Sequence, residues 1–211
     1  MDPTSYFTIG SSCETEIVIQ KSRFICHAKP TQTESEAQAF IKEISKKYWD
    51  AAHNCYAYRI TDLIQKASDD GEPSGTAGRP MLDVCAHKQL QFTTVVITRY
   101  FGGIKLGTGG LVRAYSHGAS AVLEKAGIVQ SIPLQAFTLQ FSYTFMGKME
   151  YELHQTNWYL ESPQFTDHIQ WVIWVPLEDI QTFESKVLIW THGQAHFKKG
   201  RIAYKNIPLR S

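Results

Sequence analysis

The chain is short of cysteine, of long apolar runs and of net charge, and each shortage removes a class of protein. Its four cysteines, Cys13, Cys26, Cys55 and Cys85, include no C-x-x-C pair, and three of them sit in apolar or strand-like segments. That pattern describes reduced, buried thiols and excludes a disulfide framework. No apolar stretch approaches the roughly 20 residues that cross a bilayer, so no membrane partner is expected. Met1-Asp-Pro-Thr-Ser is polar and acidic without an apolar core, so no export signal is read and a cytoplasmic location is expected. A net charge of +1 excludes a globally basic binder, and any nucleic-acid contact must come from a local patch. With 43% hydrophobic residues in 211, disorder is not expected, and there is room for one large or two small domains. The eight histidines form no H-x-x-x-H pair on a predicted helix, and His27 beside Cys26 points to the opposite face of a strand. No metal and no cofactor is expected.

Glycine, by contrast, is concentrated. Eight of fourteen glycines lie between Gly71 and Gly110. The apolar run Val95-Val-Ile97 reads as a buried strand, and it leads into Arg99-Tyr-Phe-Gly-Gly-Ile-Lys-Leu-Gly-Thr-Gly-Gly-Leu-Val-Arg113. Thr108 is the expected N-cap of a helix carrying Leu111, Val112, Tyr115, Ala119, Val122, Leu123 and Ala126, stopped by Gly127. A strand, a glycine loop and a helix N-terminus leave amide donors free beside the positive end of a helix dipole. Arg99, Gly102, Gly103, Lys105, Gly107, Thr108, Gly109, Gly110 and Arg113 are therefore candidates for holding phosphate, and no acidic residue lies between Arg99 and Arg113. The competing reading is a corner whose glycines serve only close packing. The spacing matches neither G-x-x-x-x-G-K-S/T nor G-x-G-x-x-G with a following acid.

A second glycine-rich stretch is Asp69-Asp-Gly-Glu-Pro-Ser-Gly-Thr-Ala-Gly-Arg-Pro80. Asp69, Asp70 and Glu72 suit a divalent cation in type but lack the ligand alternation of a calcium loop, and three acids beside Gly71 are also ordinary turn residues; with Gly71, Pro73, Ser74 and Gly75 they are candidate residues of this loop. Ser74 has no G-x-S-x-G context, so no catalytic residue is assigned. Arg79 is read either as tying this turn down or as reaching phosphate.

The remaining pattern is α+β. Segments 14–20 and 22–28 read as strands, Thr33 with Glu36 as a capping box for a helix with Ala37, Phe40, Ile41, Ile44 and Tyr48 along one face, and 53–60 as a strand. Pro80 opens a helix with Met81, Leu82, Val84 and Cys85 inward. A boundary is expected where Pro133 interrupts regular structure, giving domains 1–132 and 133–211. From 135 the order is strand, helix, strand, strand, helix, strand, a ferredoxin-like arrangement with strands at 135–145, 158–165, 167–175 and 194–204. Its basic end, Lys198, Lys199, Arg201, Lys205 and Arg210, is read as a solubilising face, with phosphate contact aided by Phe197 and Tyr204 as the alternative.

The two glycine-rich stretches, in this order and spacing, together with Lys21-Ser-Arg-Phe24, resemble the signature of the IMPACT family in its bacterial YigZ-type form. The resemblance implies an N-terminal domain with the fold of a ribosomal-protein domain, elongation factor G domain IV and the GHMP kinases, and a C-terminal domain similar to domain V of that factor. Eukaryotic relatives act in translational control. For this chain the implied function is a cytosolic, non-enzymatic protein binding RNA or the ribosome, or a translation-regulatory protein. A phosphate-handling enzyme using a divalent ion and a protein-interaction module are the alternatives.

Overall fold

The computed structural model describes residues 4–161 and 163–208, so Arg210 lies outside the described residues. The chain divides into two compact units, Tyr6–Gln130 with 206–208, and Ser131–Lys205 with 4–5.

The larger unit contains β1 (Tyr6–Ile9), β2 (Cys13–Ile19), β3 (Ser22–Pro30), α1 (Glu34–Lys47), β4 (His53–Arg59), β5 (Gln65–Ser68), α2 (Gly78–His87), β6 (Thr93–Tyr100) and α3 (Gly107–Ala126). Five strands form an antiparallel sheet in the order β2-β3-β6-β4-β5. Central β6 is buried from Thr93 through Arg99, because both of its faces are covered. Val95 and Ile97 join Met81, Cys85, Leu111, Tyr115 and Leu123 under α2 and α3. Val96 points the other way, to Phe40 and Ile44 of α1. A strand covered on both faces has no reason to alternate, which accounts for the unbroken apolar run. The β2–β3 turn holds Gln20 and Lys21 in left-handed backbone, φ 46° and 66°, and delivers Ser22 to the start of β3.

Helix starts differ in how they are satisfied. Thr33 Oγ1 accepts the Glu36 amide at 3.2 Å, and Glu36 reaches back to the Gln32 amide at 2.8 Å, one residue before the cap. At α2 the cap comes from upstream: Asp69 accepts amides from Gly75, Ala77 and Gly78 at 2.8, 3.0 and 2.9 Å. Helix α3 begins at Gly107 behind Leu106, with no side-chain cap. Thr108 is therefore inside the first turn and not the N-cap, since Gly107 at φ 69° already makes the turn into the helix.

The smaller unit takes most of β7 (Ile128–Phe141), then α4 (Met146–His154), β8 (Tyr159–Leu160), β9 (Gln164–Phe165), β10 (Ile169–Pro176), α5 (Ile180–Trp190) and most of β11 (His196–Pro208). Strand β7 runs through Pro133 without a break, contrary to the interruption expected there. The expected strand at 158–165 is reduced to two short pieces paired with β10. Strand β7 lies between β11 and β10, and β8 flanks β10. Phe137, Leu139 and Phe141 of β7 and Trp171 and Ile173 of β10 pack against Met149 and Leu153 of α4 and Phe183, Val187 and Trp190 of α5. Phe141 meets Trp171 edge to face at 4.9 Å between centroids, and aromatic contacts of this kind dominate the core.

Asp69 yields a pH test. Partial burial raises its pKa, but the amides of Gly75, Gly78 and Ala77 outweigh that and hold it below the ordinary value. A depressed folded-state pKa contributes stability in full above the unfolded value of about 3.9, and that contribution is lost as pH falls through the folded value. Asp69→Ala is expected to cost about 1–2 kcal/mol at pH 7 in urea unfolding, and the gap from the parent to narrow below about pH 4. A gap equal at pH 3 and pH 7 contradicts the capping role.

Candidate anion-binding site

Arg99 ends the buried part of β6, with Phe24 and His53 as its register partners on the flanking strands. Its side chain is only 7% exposed, and Nη1 donates to Glu72 Oε1 at 2.7 Å. Nη2 donates to Ser22 Oγ at 3.3 Å, and the guanidinium carbon lies 5.5 and 5.6 Å from the ring centroids of Phe24 and Phe101. Among the described residues Arg99 Nε has no hydrogen-bond partner. Glu72 also accepts from Tyr115 Oη at 2.8 Å and lies 3.9 Å from His53 Nε2. Behind them, Cys55 Sγ is 3.3 Å from Tyr115 Oη and 2.9 Å from the Asp69 carbonyl. Burial pushes the Cys55 thiol up to about 12, and burial with Cys55 and Glu72 nearby also raises the Tyr115 phenol. Both stay protonated at neutral pH, so Tyr115 is a fixed donor to Glu72.

Two charges out of water persist together only when each answers the other and the remaining polar atoms find partners. Here three segments of sequence supply them. The β2–β3 turn brings Ser22, the 69–80 loop brings Glu72, and α3 brings Tyr115. Ser22 Oγ also accepts the Gly102 amide at 3.3 Å. A Cβ at Gly102 would overlap the backbone of Lys21 and Ser22, so at this position glycine is required by close approach.

Above this cluster lies a cavity of about 370 Å³, lined by Glu72, Pro73, Arg99, Phe101, Lys105, Leu106 and the first residues and Leu111 of α3. Among the described residues no protein acceptor meets the amides of Gly107, Thr108 and Gly109, which open a 20-residue helix. Lys105 and Arg113 are exposed on either side of them. Arg113 reaches back along the helix: a Cβ on Gly109 would lie 3.7 Å from its Nη1.

The structure thus brings Arg99, Lys105, Gly107, Thr108, Glu72 and Pro73 to one cavity, with Gly109, Gly110 and Arg113 on the helix turn beside it. Exposed Gly103, at φ 83°, lies on the loop between. Arg99 is not the surface cation expected, because its charge is buried and answered by Glu72. Exposed Arg79 pairs with Asp83 at 2.8 Å and lines a different groove, with Pro80 and Val112. The three acids are turned apart and not gathered around one ion: Asp69 caps α2, Asp70 accepts the Asn54 amide at 2.6 Å, and Glu72 holds Arg99. Among the described residues no group of three or more His, Cys, Asp or Glu is placed to hold a metal. Gly71 and Ser74 are exposed turn positions, and Gly75 serves Asp69. Sequence reasoning missed His53 and Cys55 as neighbours of Glu72, and Ser22 as the joint. The signal for the first two was their i, i+2 spacing on β4, which puts them on one face.

The chain is 45% identical over 202 residues to IMPACT family member YvyE of Bacillus subtilis, covering 95% of this chain and 93% of that one. It belongs to the IMPACT family. IMPACT family member YigZ of Escherichia coli is 34% identical over 179 residues, 83% of this chain and 88% of that one. Residues 20–123 match the model described as Impact N-terminal domain, and residues 139–194 that described as Domain of unknown function (DUF1949). The IMPACT homolog of Dictyostelium discoideum is 31% identical over 129 residues, 58% of this chain but 36% of its own length. A solved structure titled as that of a hypothetical protein superposes with a TM-score of 0.59 at 31% identity, covering 92% of this chain and 96% of that one. The cavity and the cluster beneath it are built from residues inside the Impact N-terminal match.

Removing one partner of a buried ion pair strands the other charge. Arg99→Ala and Glu72→Ala are each expected to lose about 3–5 kcal/mol in denaturant unfolding. The double variant should lose clearly less than the sum of the two. Additive losses contradict the pairing.

Proposed function

We propose that this IMPACT family chain is a binding protein of the cytoplasm that engages RNA, free or within the ribosome, through the α3 N-terminus, and so modulates translation. One observation carries the reading. A cavity lined by Arg99, whose Nε has no partner among the described residues, opens beside helix N-terminal amides that meet no acceptor there, with exposed Lys105 in its wall and exposed Arg113 on the helix beside it. Backbone donors at a helix N-terminus suit phosphate oxygens, and flanking cations release counterions when they meet a polyanion. The only carboxylate lining the cavity, Glu72, is neutralised by Arg99. Contacts of this kind position a nucleic acid by its backbone and do not read its bases. The phosphate-handling enzyme with a divalent ion is disfavoured, since each acid that would hold the ion already has a protein donor.

Exposed Phe101 and Ile104, 53% and 42% accessible on the same loop, favour a second reading, a grip on a protein partner. Salt separates the two. Lys105→Ala with Arg113→Ala is expected to weaken binding to structured RNA about tenfold or more at low salt and to flatten its salt dependence by about two charges, with an unchanged melting temperature. Unaltered RNA affinity in the double variant, or no RNA binding by the parent at low salt, sinks the RNA reading. Retained ribosome binding at high salt points to the protein grip.

A further inference from the structure

The sheet of the smaller unit has its two helices on one face. Trp171 and Ile173 of β10 point into the core beneath α4 and α5, so Trp174 points to the opposite face. Tyr159 of β8 is the register partner of Trp174 and shares that face. Strand β11 adds cations to both rings. Lys205 Nζ lies 3.2 Å from the Tyr159 ring centroid, and the Arg201 guanidinium carbon lies 5.7 Å from that of Trp174. These four residues, with Tyr204, line a cavity of about 340 Å³. Its one acid, Glu161, accepts the Trp174 indole N–H at 2.9 Å and so fixes the plane of that ring.

We infer that this face is a stacking platform for single-stranded RNA, with a base on Trp174 or Tyr159 and flanking phosphates on Arg201 and Lys205. The chemistry of the lining selects the occupant. Ring faces and exposed cations side by side are what a nucleotide offers partners for, since every base has a π face and every linkage a negative charge. The volume is at the small end for ligand cavities, the scale of a base with its phosphate. Without RNA the cations lie over the rings. Their long stems let them swing to phosphate when a base takes the ring, and base stacking on an aromatic side chain outweighs an exposed cation–π contact. The basic run of β11 thus has a binding use beyond keeping an edge soluble.

This inference extends the RNA reading to a second surface, and its test disables the first. Labelled oligouridylate is titrated by fluorescence anisotropy into the full chain carrying Lys105→Glu and Arg113→Glu, with thermal melts as the check on folding. Binding is expected to persist, to weaken about tenfold on adding Trp174→Ala or Tyr159→Ala, and to stay within about threefold of the parent for Trp174→Phe. An abasic oligomer of equal length and charge should bind at least about tenfold more weakly than oligouridylate. If Trp174→Ala fails to fold, Tyr159→Ala and the Arg201→Glu, Lys205→Glu pair carry the test. The inference is overturned if oligouridylate does not bind at low salt, if both ring deletions leave affinity unchanged, or if the abasic oligomer binds equally well.

Discussion

The buried ion pair between Arg99 and Glu72 is the constraint on which the larger unit depends. An arginine at the end of a central strand, with its side chain only 7% exposed, is untenable without an acid in contact. Glu72 supplies it only if the 69–80 loop comes down onto the sheet. Asp69 pins the same loop to α2, and Tyr115 pins Glu72 to α3. Ser22 then joins Arg99 to Gly102, so the loop that follows β6 has its path set from below. Three stretches distant in sequence are thereby one object, and the residues that look most reactive in it are largely its fastenings.

What this framework leaves open is as informative as what it ties down. Every carboxylate of the acidic loop has a donor, whereas the first amides of α3 have no acceptor among the described residues. Lys105 and Arg113 are exposed near those amides, and the cavity lined by Lys105, Gly107 and Thr108 also has the buried guanidinium in its wall. Two exposed cations beside these amides form a local basic patch in a chain of net charge +1, which suits attraction of phosphate without the protein being basic overall. The smaller unit places its cations differently, over aromatic rings on a helix-free sheet face. The two surfaces differ in chemistry, one of backbone donors and one of π faces.

Much of the fold was legible because periodicity reports burial directly. Val95-Val-Ile97 had to be covered on both faces, and Thr33 with Glu36 announced α1. The failures have local causes. Pro133 looked like a break, yet a strand tolerates proline wherever its missing N–H is not needed in the ladder. Thr108 looked like a cap, but Gly107 had already turned the chain into the helix. Arg99 looked like a surface cation because its partner lies 27 residues away in sequence, and no local pattern reveals a long-range ion pair. His53 and Cys55 shared a face by spacing alone, but that the face looked onto Glu72 depended on the loop's path. The glycines were legible as a group and not singly: Gly102 is fixed by contact with Lys21 and Ser22, Gly107 by its backbone angle.

The central claim is that the cluster beneath β6 exists to hold unpaired amides of α3 open to phosphate. Amide proton and nitrogen shifts of Gly107, Thr108 and Gly109, followed by NMR during titration with a short structured RNA at low salt, test it most directly. The account predicts that these three amides move first and furthest within the larger unit, and that raised salt reverses the change. Unmoved amides there, with RNA-dependent shifts on other surfaces of the larger unit, would contradict it.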